Sequence, residues 1–146
     1  MKEEINYEGG RMNYEVREFE AMCVEGGSPD LRERTKVFAL RIIKLFASLP
    51  KTTVAQVLGK QVLRSGTSVG ANYREAYRSR SYAEFISKLG DCLKELDEST
   101  YWLELLIEAE IVKKERLTDL LDENNQLIAI FTTIAKKVKA RTKKPS

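Results

Sequence analysis

The chain has 146 residues, of which 42% are hydrophobic and 32% charged, with a formal net charge of +3 and no histidine. This length predicts one domain that can bury a core without disulfides or a metal, and Cys23 and Cys92 form neither a disulfide framework nor a ligand cluster. The lack of histidine removes the commonest general base and transition-metal ligand. No apolar run approaches the roughly 20 residues that span a bilayer, and Met1–Glu4 does not open a signal peptide. We therefore expect a cytoplasmic protein that needs no cofactor and no membrane.

Charge is segregated along the sequence. Residues 1–29 carry a net charge of −4, whereas residues 30–146 carry +7. Within that second part, 32–80 carries +9, 84–123 carries −7, and 136–144 holds six Lys or Arg and no acid. Two interpretations follow. Either basic and acidic helices pair with each other, or the basic residues form a surface for nucleic acid or an acidic partner.

The first 29 residues lack sustained apolar periodicity and contain Gly9-Gly10 and Gly26-Gly27-Ser28-Pro29. This composition predicts a flexible acidic arm, with a short helical turn around Tyr14–Met22. A folded domain is predicted for 30–140, followed by a basic tail at 141–146.

The first helix of the domain begins after Asp30, which lies three residues before Glu33 as in a capping box. Pro50 ends it. Its core stripe is Phe38, Ile42, Leu45 and Leu49. Further apolar residues lie elsewhere on its circumference, so the helix is expected to be covered on more than one side: Val37, Leu40, Ile43 and Phe46.

The second helix runs from Thr52 or Thr53 to about Ser79 and contains three interior glycines, each of which costs about 1 kcal/mol relative to alanine. A break, a kink or the close approach of another helix would explain them. Their shared face favours close approach, and it predicts an oligomer interface formed by Gly59, Gly66, Gly70, Tyr73 and Tyr77. A helix-turn-helix with Gly66 in the turn is the rival interpretation. A basic stripe argues against it by keeping helical phase across the supposed turn: Lys60, Arg64, Arg74 and Arg78.

The third helix begins after Ser81, which forms a second capping box with Glu84, and its apolar period lasts for about 25 residues. Trp102 is expected in the core or an interface. The fourth helix runs from about Glu115 to Lys139, and Asn124 lies in phase with its apolar stripe, where a polar residue usually fixes register. Four amphipathic helices with short connections predict an all-α, antiparallel up-and-down four-helix bundle. Its extra apolar and glycine faces predict a closed homo-oligomer.

Two segments resemble one known family, the four-helix bundles named after the 23S rRNA intervening-sequence proteins. They are Leu63–Asn72, followed by Glu75-Ala76, and Lys94–Leu96 continuing through Glu98–Leu103. The resemblance covers roughly Asp30 to Lys139. It implies a bundle that assembles as a ring or barrel, typically a pentamer, and no enzymatic activity is established for this branch. A related branch, the accessory proteins of diversity-generating retroelements, works beside a reverse transcriptase and has basic surfaces suited to nucleic acid.

These observations predict a non-catalytic oligomeric adaptor that binds the backbone of RNA or DNA, with a reverse transcriptase as a further partner. Phosphate-driven binding needs no base-reading motif, and the sequence has none. The candidate binding residues are Arg34, Arg41, Lys44, Lys60, Arg64, Arg74, Arg78, Arg80, Lys136, Lys137, Lys139, Arg141, Lys143 and Lys144.

Two alternatives remain open. The first is a structural or protein-interaction module that binds no nucleic acid. The second is an enzyme with a carboxylate metal site, which would use Glu75, Asp91, Glu95 and Glu98. Because the sequence lacks histidine, a Gly-rich phosphate loop and a nucleophile motif, we expect a protein that is not an enzyme.

Overall fold

The computed structural model describes residues 16–18 and 30–142. The first group is a short helical segment that falls within the turn predicted around Tyr14–Met22, and the rest of that turn lies outside the described residues. The second group forms four long helices, which confirms the all-α prediction: α1 (Leu31–Ser48), α2 (Thr53–Tyr77), α3 (Tyr82–Glu108) and α4 (Lys114–Thr142).

Capping side chains set the helix starts that the sequence predicts. The side chains of Asp30, Thr52 and Ser81 accept hydrogen bonds from first-turn N–H groups of α1, α2 and α3, at 2.8, 3.3 and 3.1 Å. These bonds satisfy donors that a helix start would otherwise leave unpaired. At its other end, α1 ends at Ser48, and its C-cap residue Leu49 lies directly before Pro50. The fourth helix continues three residues beyond its predicted end.

The glycines of α2 lie in one uninterrupted helix, so neither a break nor a helix-turn-helix is present. They face α1 of the same chain. A Cβ added at Gly66 would lie 2.7 Å from Ile42 Cγ1, closer than real Cβ contacts allow. The other two would also meet α1, with Gly59 against Leu49 at 2.5 Å and Gly70 against Thr35 at 3.2 Å.

This contact lies within one chain, although Gly59, Gly66, Gly70, Tyr73 and Tyr77 are predicted to form an oligomer interface. Tyr73 and Tyr77 are only 0% and 6% exposed within a single chain, and the glycines approach α1 rather than another copy. Small residues indicate that a neighbouring helix approaches closely, but they do not indicate which chain supplies it. The close approach that the glycines predict is therefore made by α1 of the same chain.

Consecutive helices pack antiparallel. The contact between α2 and α3 is the most extensive, and the contact between α1 and α4, which closes the bundle, is the smallest of the four between adjacent helices. The predicted α1 stripe from Phe38 to Leu49 is buried. Across the centre, the Tyr73 ring of α2 packs against Phe131 of α4, with ring centroids 5.3 Å apart. No helix in the described ranges is long and apolar enough to cross a membrane.

Three of the buried polar side chains form hydrogen bonds between neighbouring helices. The hydroxyl groups of Ser65 and Ser99 form a 2.8 Å hydrogen bond between α2 and α3. The Asn124 amide of α4 donates to the Leu96 carbonyl at 3.2 Å and to Thr100 Oγ1 at 2.6 Å. Because these acceptors lie at fixed positions on α3, they favour one register of α4 against it.

Candidate nucleic-acid interface

Arg34, a predicted binding residue, is engaged inside the bundle. Its guanidinium donates two 2.7 Å hydrogen bonds to Glu123 of α4 and one of 2.8 Å to Gln126. The Arg34 and Glu123 side chains are only 14% and 16% exposed, and the hydrogen bonds from Arg34 to Glu123 raise the Arg34 pKa. This pair joins α1 to α4, the adjacent helices with the least contact, and it neutralises Arg34 within the fold.

Arg64 also forms ion pairs within the fold, so the cations of the basic stripe predicted on α2 do not share one environment. It lies 3.1 Å from Glu95 and 2.5 Å from Glu98, both on α3. Arg74, ten residues further along, instead lines the groove between α2 and α1. The stripe is therefore not one surface, because its two edges face different neighbouring helices.

The antiparallel order places the starts of α1 and α3 and the ends of α2 and α4 at the same end of the bundle. We call this the basic end. Residues 30–36, 74–84 and 136–142 supply it with four acids, Asp30, Glu33, Glu75 and Glu84, against ten bases: Arg32, Arg34, Lys36, Arg74, Arg78, Arg80, Lys136, Lys137, Lys139 and Arg141. Within the described part of the chain, Arg74, Arg78 and Lys136 form no ion pair. The predicted residues Lys143 and Lys144 lie outside it.

Arg32, which is not among the predicted binding residues, is held at the basic end by two kinds of contact. It donates to Asp30 Oδ2 through Nε and Nη2, at 2.9 and 2.6 Å, and lies 4.0 Å from the centroid of the Tyr77 ring. The Tyr77 hydroxyl accepts a 2.9 Å hydrogen bond from Arg17 Nε. Partial burial acts to raise the pKa of Asp30, but the hydrogen bonds from Arg32 outweigh it and lower that pKa. The guanidinium is thus held in one orientation.

Arg32 and Lys36 of α1 lie opposite Arg74 of α2 in the groove between these helices, and Arg78 lines the pocket beside it. Arg32 and Lys36 are one turn apart, as are Arg74 and Arg78. This equal spacing is the only signal in the sequence for Arg32 and Lys36, which are not among the predicted binding residues. It could not identify the pair alone, because their position opposite each other depends on how α1 and α2 are paired.

The remaining predicted cations lie elsewhere. Arg41 and Lys44 line a separate pocket of about 390 Å³ between α1 and α4, together with Arg116. Lys60 is exposed in the first third of α2. Lys44 and Lys60 are therefore in the half of the bundle away from the basic end, and the fourteen predicted residues do not form one site.

The carboxylates considered for a metal site are not brought together. Glu95 and Glu98 do share a face of α3, but both contact Arg64, while Glu75 lies 3.3 Å from Lys88. In residues 16–18 and 30–142, no group of three or more His, Cys, Asp or Glu could hold a metal ion.

The family model for the 23S rRNA-intervening sequence protein matches residues 30–133. The chain belongs to this family. Its structure is also similar to that of a protein of unknown function from the S23 ribosomal protein family of Bacteroides thetaiotaomicron. The two are 39% identical with a TM-score of 0.69, and the match covers 73% of this chain and 99% of that one. No curated protein matches the sequence. The predicted resemblance is confirmed.

In this member of the 23S rRNA-intervening sequence family, the second apolar side of α1 is open to solvent. Val37, Leu40 and Ile43 are 45%, 55% and 46% exposed, and they form what we call the outer face of α1. Three large apolar side chains exposed along one helix are typical of a surface that another protein covers.

Proposed function

We propose that this protein is a non-catalytic, oligomeric four-helix-bundle adaptor of the cytoplasm that binds the backbone of RNA or DNA through its basic end. One observation carries the proposal. Arg34 and Arg64 are neutralised by carboxylates of neighbouring helices, whereas Arg74 and Arg78 have no such partner within the described residues. A cluster of cations that the fold does not neutralise favours an external polyanion.

Association into a homo-oligomer would strengthen this binding. The exposed outer face of α1 supports such association, and the family resemblance implies a ring that is typically a pentamer. A closed ring would repeat the basic end in every subunit, so that several weak phosphate contacts act on one strand. Sedimentation of the purified protein measures the number of subunits, and a stable monomer would contradict this part of the proposal.

The biological role we propose is that of an accessory protein to the reverse transcriptase of a diversity-generating retroelement. The basic end supports this role because the related accessory branch has basic surfaces suited to nucleic acid. The genomic neighbourhood tests it. A neighbouring reverse-transcriptase gene with repeats supports the role, and a position inside an rRNA gene contradicts it.

Binding itself is tested by titrating the wild-type protein into labelled single-stranded RNA and DNA at several salt concentrations. We expect the logarithm of the binding constant to fall linearly with the logarithm of salt, with a slope of about −0.7 for each phosphate contacted. An absence of binding at low salt, or binding that salt does not weaken, would contradict the proposal.

A protein-interaction module without nucleic acid is the second candidate, and the outer face of α1 favours it. A partner that copurifies after nuclease treatment, together with no retention of the protein on a polyanion column, would support this candidate over the first.

A further inference from the structure

A groove runs between α1 and α2 towards the basic end. Its walls and floor come from Arg32, Lys36 and Ala39 of α1 and from Thr67, Gly70, Ala71 and Arg74 of α2, and its volume is about 260 Å³. A second pocket of about 330 Å³ lies at the bundle end and is lined by Asp30, Arg32, Glu33, Arg74 and Arg78. Arg32 and Arg74 line both, so the groove and this pocket are neighbours, and we refer to them together as the channel.

The floor of this channel consists of small side chains. Ala39, Gly70 and Ala71 give it an apolar lining without large side chains, and Gly70 lies close against Thr35, with 3.2 Å from an added Cβ to Thr35 Oγ1. Protein partners usually anchor aromatic or aliphatic side chains in deep apolar pockets. A nucleic-acid backbone needs none, since phosphate contacts depend on cations and hydrogen-bond donors.

The walls present cations from both helices. Lys36 and Arg74 flank the groove and Arg78 lies in its widened end. Arg32 is paired with Asp30 and lies over the Tyr77 ring, so the cations without a carboxylate partner among the described residues are Lys36, Arg74 and Arg78. Asp30 is already paired with Arg32, which leaves Glu33 as the other acid of the channel. Guanidinium groups match phosphate geometry with two parallel hydrogen bonds.

From this arrangement we infer that the α1–α2 groove is the binding site for the phosphodiester backbone of one nucleic-acid strand. The inference rests on the proposed function and adds its location.

The test fills the groove without changing its charge. Ala71→Leu places a larger side chain on the floor, and Ala129→Leu makes the same change at an exposed position of α4. Both replace one strong helix former with another, and circular dichroism checks that both variants fold. We expect Ala71→Leu to weaken binding of labelled oligo(dT) on the order of tenfold while the salt slope changes little, and Ala129→Leu to bind like wild type.

A second variant tests the wall. Lys36→Gln should reduce the salt slope for oligo(dT) by about 0.7 for each subunit that contacts the strand, because one phosphate contact is lost. It keeps the inference testable if Ala71→Leu does not fold.

The outcomes separate the inference from the proposed function. If the wild-type protein binds no nucleic acid, the proposed function fails. If it binds, but Ala71→Leu and Lys36→Gln bind as the wild type does, only the groove is wrong. If Ala71→Leu loses a poly-glutamate peptide but keeps oligo(dT), the occupant is an acidic protein segment and the inference is overturned.

Discussion

Gly66 and Gly90 show how the same residue type serves different purposes inside helices. Gly66 of α2 is pressed against Ile42, whereas a Cβ at Gly90 of α3 would meet nothing within 4 Å. Only the first glycine is required by packing. The second reduces helix stability without an evident compensating contact.

Alanine substitutions should therefore have opposite effects at these positions. Gly90→Ala should raise the free energy of unfolding by about 0.5–1 kcal/mol through helix propensity and a more restricted unfolded chain. Gly66→Ala gains the same but overpacks the contact with Ile42 at a cost of about 1–3 kcal/mol, so we expect a net loss of about 1 kcal/mol. Urea denaturation measures both, and equal stabilisation by the two variants would contradict the packing argument.

Cys92 gives the fold a pH dependence in the alkaline range. Burial raises the pKa of its thiol from 9.0 to about 12. Between these values the unfolded chain loses the proton and the folded chain keeps it, so the stability that the thiol contributes is present below pH 9.0 and is lost as the pH rises towards about 12.

Cys92→Ala should consequently flatten the alkaline part of the stability profile. We expect its free energy of unfolding to fall less steeply than that of the wild type above pH 9.0, as measured by urea denaturation at several pH values. Parallel profiles would show that the thiol is not the titrating group.

Among the elements, α3 and α4 are joined by a buried amide whose hydrogen bonding is incomplete. Asn124 is 0% exposed and its Nδ2 has two acceptors, but its Oδ1 has no partner among the described residues. An unpaired buried oxygen costs about 1–3 kcal/mol. The residue therefore favours the register of α4 at the expense of stability.

Asn124→Leu should raise the free energy of unfolding by about 1 kcal/mol, because it removes the unpaired oxygen, and Thr100 still donates to the Leu96 carbonyl. Asn125→Leu, at the exposed neighbouring position, is the control and should change stability little. Thermal unfolding compares the two variants. A large loss of stability in Asn124→Leu would show that its two hydrogen bonds outweigh the unpaired oxygen.

The helices themselves could be predicted from sequence, because capping residues and apolar periodicity are local signals. Which helices meet was harder to predict. The glycine face of α2 predicts that another helix packs closely against it. The same pattern results whether that helix is α1 of the same chain or belongs to a second copy. Likewise Arg64 and Arg74 belong to one stripe by phase, but they face α3 and α1 respectively, and that division follows from the pairing of the helices.

For the whole molecule, the segregated charges lie in two kinds of surroundings. The acidic span of α3 and α4 neutralises Arg34 and Arg64. At the basic end the cations outnumber the acids, because α2 and α4 both finish there with basic residues. The candidate site was thus found in part from sequence. The sequence predicts Arg74 and Arg78 as binding residues, whereas Arg32 and Lys36 are identified only by their position at the groove between α1 and α2.

The most direct measurement compares two charge reversals of equal size at opposite ends of the bundle. Arg74→Glu/Arg78→Glu alters the basic end, and Lys113→Glu/Lys114→Glu alters two exposed residues at the other. Salt-dependent binding to a labelled single strand is measured for both and for the wild type. We expect the first variant to lose most of the affinity and a large part of the salt slope, and the second to retain both. Equal losses in the two variants, or none in the first, would contradict a binding surface at the basic end.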